Sequence, residues 1–152
     1  MSRQQLKEKG FTIIEVVLVL AIAALIFLMV FIALPALQRN QRDTARKQEV
    51  GKVLGAVTSY QSNNRGATPS ADETFAKYLD GTSSESVITL GTGTQVSFVD
   101  GEGILPDSND MIYVFVGGAC DGSNKLVAGE SSRKAAAGIK LENGDAPYCQ
   151  EG

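Results

Sequence analysis

An α+β fold is predicted, a long helix packed on a small antiparallel sheet, and three patterns predict it. Residues 16–34 form an unbroken apolar run. Val50, Val53, Leu54, Val57 and Tyr60 then recur at helical spacing, making one apolar stripe on an otherwise polar segment. From residue 87 onward the chain breaks into short β-branched and aromatic runs bounded by Gly, Asp and Ser.

The apolar run is the first element. Taken from Phe11 to Leu37 it is a helix of roughly 40 Å at 1.5 Å per residue, longer than a hydrocarbon core of roughly 30 Å. A run this long without a charge is a transmembrane candidate. It is too long for the apolar region of a secretory signal, and no small-residue cleavage site follows it. Arg3, Lys7 and Lys9 against Glu8 give the first ten residues a net charge of +2; without them the chain's −3 becomes −5. Arg39, Arg42, Arg46 and Lys47 flank the other end of the run, so charge counting leaves orientation open.

Glu15 sits at the edge of the apolar stretch. A carboxylate there costs free energy, a few kcal/mol at the centre of a bilayer and less near its surface. One reading is a side chain that snorkels to the headgroups. The other is a group held for an opposite charge.

The junction Lys9-Gly10-Phe11-Thr12-Ile13-Ile14-Glu15 resembles the processing site of type IV prepilins and pseudopilins: a short basic leader ending in Gly, an aromatic residue, and a glutamate fifth in the trimmed chain. The resemblance covers the first quarter of the chain. It implies a leader over 1–10, cut by a prepilin peptidase between Gly10 and Phe11. It further implies N-methylation of Phe11, assembly through Phe11 and Glu15, and an outward-facing C-terminal part. Many relatives carry a helix-breaking Gly and Pro in the apolar segment. Here Ala24 and Ile32 stand nearest those places and Pro35 comes slightly later, which makes Pro35 the candidate kink.

Residues 38–152 form the expected exported domain, starting with an amphipathic helix over 38–62. Arg42, Arg46, Lys47, Glu49 and Lys52 read as its solvated face, with lipid headgroups or a neighbouring subunit as the competing partner. A loop with a short helix fills 63–86. Ser70-Ala71-Asp72-Glu73 reads as a capping box opening that helix, which runs to about Leu79 and is stopped by Asp80-Gly81. Residues 87–90, 95–99 and 111–116 are strands, 125–128 and 137–141 weaker ones, in an antiparallel meander covered by the helix stripe. Residues 138–144 followed by Tyr148-Cys149 resemble the last strand and closing loop of several bacterial pilins.

Cys120 and Cys149 do not have the spacing of a metal or redox pair. In an exported domain they read as one disulfide, in a cytosolic one as two buried thiols. The chain has no His and no Trp, which removes Ser-His-Asp and Cys-His sites and most zinc sites. Gly91-Thr92-Gly93 and Gly101-Glu102-Gly103 complete no phosphate-loop pattern and read as turns. Asp107-Ser108-Asn109-Asp110 could offer oxygens to calcium but lacks EF-hand spacing and reads as a polar turn. Asp72 with Glu73, or Asp145 with Glu151, make no acid/base pair that sequence defines. No cofactor, metal or small-molecule substrate is expected, and nothing supports an enzyme.

The expected function is structural: a major pilin, membrane-held before assembly and then a homopolymeric cell-surface filament for adhesion, motility or DNA uptake. Its partners would be the peptidase, an assembly platform and minor pilins. A minor pilin or a pseudopilin of a secretion machine is the alternative within the family. A signal-anchored extracytoplasmic binding domain that never polymerises is the alternative outside it.

Overall fold

The computed structural model describes residues 10–84, 86–101, 103–144 and 147–152. Residues 1–9, in the segment expected to be a leader, together with Glu102 and Asp145, lie outside them. Two compact units divide after Gln38, and the first helix, α1 (Ile13–Asn63), contributes to both.

In the first unit, the apolar part of α1 carries its side chains exposed on every face, as an all-round apolar helix must when nothing covers it. Its most apolar stretch has mean hydropathy 3.3, and the helix is long and apolar enough to cross a membrane. The helix is continuous through Pro35, which has no N–H to offer the carbonyl of Phe31.

In the second unit, α1 buries Val50, Val53, Leu54, Ala56 and Val57. They pack with Ile88, Val96, Ile112, Val114, Ala135, Ala137 and Ile139 from the sheet and with Phe75. After α1 come α2 (Glu73–Ala76) and a 3-10 turn (Lys77–Leu79). The cap of α2 is Asp72, two residues later than the sequence suggested. Its carboxylate accepts the Phe75 N–H at 2.8 Å, while the Ser70 hydroxyl donates to Asp72 instead of capping. Phe75 is thereby seated edge-on to Tyr60 and Phe98.

Eight strands follow: β1 (Thr82–Ser84), β2 (Val87–Thr89), β3 (Gln95–Phe98), β4 (Met111–Val116), β5 (Gly118–Cys120), β6 (Leu126–Ala128), β7 (Ala135–Lys140) and β8 (Pro147–Glu151). The main sheet is ordered β1-β2-β3-β4-β7-β8, and β5-β6 form a separate hairpin. The meander expectation fails at one place: β3 and β4 are parallel, Gln95 opposite Met111. Parallel neighbours need a crossover. Residues 99–110 provide it, held on the way by the bridge between Ile104 and Leu126. The sheet is therefore mixed.

Strand β7 is buried along nearly its whole length. Ala135, Ala137 and Ile139 face α1. On the opposite face the β5-β6 hairpin covers the start of β7, and Pro106 covers Gly138, where an added Cβ would lie 2.6 Å from the proline ring. Small residues are what a strand covered closely on both faces requires.

Candidate processing and assembly site

Gly10 and Phe11 precede the first helical turn, so the peptide bond between them belongs to non-helical backbone. Among the described residues, Phe11 is 88% exposed and nothing approaches within 4 Å of where a Cβ on Gly10 would stand.

The helix begins on a reciprocal cap that the sequence reading missed. The Thr12 carbonyl accepts the Glu15 and Val16 N–H groups. The Glu15 carboxylate reaches back and accepts the Thr12 backbone N–H at 2.9 Å and its hydroxyl at 2.8 Å. The Glu15 N–H points to the Thr12 hydroxyl oxygen at 3.4 Å. This is a capping box, and its signal is the Thr-x-x-Glu spacing immediately ahead of an apolar run. Glu15 is thus engaged within its own chain at the helix N-terminus, where the macrodipole also favours a negative charge. The cap places Phe11 one residue before the groups that hold the carboxylate.

In the second unit, the cationic face of α1 is not simply solvated as expected. Arg46 is only 13% exposed and pairs with Glu142 at 2.8 Å. Arg42 reaches the same carboxylate at 2.7 Å. Between them lies Asp43, buried, accepting the backbone N–H groups of Glu142 and Asn143 at 2.8 Å each. Asn40 pairs with the Asn143 side chain. Hydrogen bonds from Arg42 first, and then Arg46, hold the Glu142 carboxyl down at about 2. Lys47 lies 5.2 Å over the Tyr148 ring, and Glu49 accepts the Thr94 hydroxyl at 2.7 Å. This face is a polar seam that fixes the β7–β8 loop to α1. Sequence could not reveal it, because the partners of Arg42 and Asp43 stand about 100 positions away.

Cys120 and Cys149 are bonded, joining β5 to β8, and Glu151 on β8 accepts the Cys120 N–H at 2.8 Å. In the loop 107–110, Asp107 accepts the Tyr113 hydroxyl and Ser108 caps the Asp110 N–H. Among the described residues no three His, Cys, Asp or Glu side chains converge as metal ligands would. Gly93 closes the β2–β3 turn with positive φ, its N–H on the Leu90 carbonyl.

Against known proteins, residues 5–31 match the prokaryotic N-terminal methylation motif. No curated protein and no solved structure matches the chain. The match supports a prepilin-type N-terminus.

Proposed function

Taking this prepilin-type N-terminus as premise, we propose that the chain is the major structural subunit of a type IV pilus. The motif over residues 5–31 carries the proposal. Residues 1–10 are the leader. A prepilin peptidase cuts the exposed bond between Gly10 and Phe11 and the new amino group of Phe11 is methylated. Residues 11–37 then hold the subunit in the cytoplasmic membrane, with 38–152 outside. On assembly the apolar helices leave lipid for one another, and the product is an extracellular homopolymer. An assembly platform and minor pilins act with it, and no small-molecule substrate is involved.

The capping box supports a role for Glu15 in that sequence. An unpaired carboxylate in an apolar helix bundle costs several kcal/mol. Thr12 satisfies part of that need before assembly, and the amine on Phe11 of a neighbouring subunit would supply the missing charge. Such a pair fixes axial register, because shifting one helix along another separates the charges. Glu15 favours the major subunit over a minor pilin or pseudopilin, since minor pilins can lack this glutamate.

The test is the N-terminal peptide of protein taken from cell-surface material, read by mass spectrometry. A peptide starting at methylated Phe11 is expected. An intact N-terminus carrying Met1 or Ser2 would replace this reading with the signal-anchored binding domain. Glu15→Ala is expected to be inserted in the membrane but to yield no filaments by electron microscopy, and normal filaments would remove Glu15 from the assembly role.

A further inference from the structure

The loop that the polar seam fixes to α1 carries a reactive pair. Asn143 is followed by Gly144, the one place in the chain where glycine follows asparagine; the other asparagines precede Gln41, Asn64, Arg65, Asp110 and Lys125. Both residues are exposed. An asparagine side chain is an acyl group tethered beside the next backbone nitrogen, and such tethering gives a high effective concentration. A glycine in the next place has no Cβ to obstruct the approach.

The fold adds an anchor and a gap. Asp43 accepts the backbone N–H groups of Glu142 and Asn143 at 2.8 Å each, which holds the chain as far as Asn143. The hold ends there. Gly144 has φ 113°, a conformation that favours glycine, and its N–H makes no backbone hydrogen bond among the described residues. The side-chain amide of Asn143 donates to Asn40, so the nitrogen that would have to leave is tied to α1.

We propose that Asn143–Gly144 is a self-modification site, restrained by Asn40, at which the asparagine converts to aspartyl and isoaspartyl products that loosen the β7–β8 loop from α1. The Gly144 nitrogen gives up its proton to solvent and bonds to Asn143 Cγ. The Cγ–Nδ2 bond breaks, and ammonia leaves with a proton from solvent. Water then opens the five-membered imide at either carbonyl, and nothing is oxidised or reduced. The chain gains a negative charge where no cation is spare. Arg42 and Arg46 are already matched by Glu142 and Asp43, with Asp110 at 3.9 Å from Arg46. The new carboxylate also lacks the hydrogen that Asn40 accepts. The proposal is independent of the filament reading.

The full chain in detergent micelles is incubated at mildly alkaline pH, and the peptide spanning residue 143 is followed by chromatography and mass spectrometry. A gain of one mass unit is expected, resolved into an aspartyl and an isoaspartyl peptide, ahead of conversion at any other asparagine. Asn143→Gln keeps the amide but needs a larger ring, and should show no gain over the same period. Asn40→Ala should convert severalfold faster. Asn143→Asp, made directly, should unfold at lower urea than the parent, because its carboxylate joins those of Asp43 and Glu142. No isoaspartyl product at residue 143, or another asparagine that converts as fast, overturns the site. A parental rate in Asn40→Ala overturns the restraint, and an unchanged urea midpoint in Asn143→Asp overturns the loosening.

Discussion

Asp43 illustrates how much one side chain can organise. It is buried on α1 and satisfies two backbone N–H groups of a loop about 100 residues away while touching Arg46. Asp43→Ala would orphan both donors and leave Arg46 with less negative charge around it, so a loss of about 2–4 kcal/mol is expected in urea unfolding. Asp43→Asn, which keeps an acceptor, should cost less. Glu142 makes a second residue-scale prediction. Its carboxyl, held at about 2 by Arg42 and Arg46, is depressed from an ordinary value of 4.5. A depressed acid stabilises the fold above its unfolded value and loses that contribution as pH falls through the folded one. The parent should therefore lose stability between about pH 4.5 and 2. Glu142→Gln, less stable at neutral pH, should have a flatter acid limb over that window in thermal melts recorded as a function of pH.

Among the elements, the short helix α2 offers the sharpest contrast between neighbouring positions. Asp72→Ala removes the cap on Phe75 and should cost about 1 kcal/mol, while Ser70→Ala should cost a few tenths at most. Equal losses would restore Ser70 as the cap. Both residues suit an N-cap chemically, and only the point where the backbone turns helical distinguishes them. The stripe Val50, Val53, Leu54, Val57 was legible because it depends on periodicity alone, and strand β4 because its apolar run is long. The strands that escaped notice were those with weak local patterns: Thr82–Ser84, Gly118–Cys120 and Pro147–Glu151. The parallel pairing of β3 with β4 was equally invisible, since the direction of a strand depends on where residues 99–110 carry the chain. Of the candidate site, the junction at Gly10 and Phe11 was readable as a motif. The Thr12 partner of Glu15 carried a recognisable spacing that the apolar run overshadowed.

At the scale of the whole second unit, the bond between Cys120 and Cys149 ties the β5-β6 hairpin to the edge strand β8 across 29 positions. Constraining the unfolded chain over that loop is worth roughly 3–4 kcal/mol. The double variant Cys120→Ser with Cys149→Ser should unfold at correspondingly lower urea, and an unchanged midpoint would show that the hairpin and β8 hold together without it. The hairpin, β8 and the seam from Asn40 to Lys47 all converge on the stretch from β7 onward.

That convergence sets a schedule. Helix α1 is synthesised in full by residue 63, but Asp43 must wait for residues 142 and 143, and Cys120 for residue 149. Until those arrive, the sheet lacks its most enclosed strand and the helix its polar anchor. Contacts so distant in sequence close slowly, because the intervening chain must first lose its freedom. A nascent chain stalled before β7 would therefore display the apolar stripe of α1 without the part of its cover that Ala135, Ala137 and Ile139 supply, and would be a target for holding factors or proteases. For this molecule, completion of the second unit waits on β7, β8 and the loop between them, whatever happens earlier at the N-terminal end of α1.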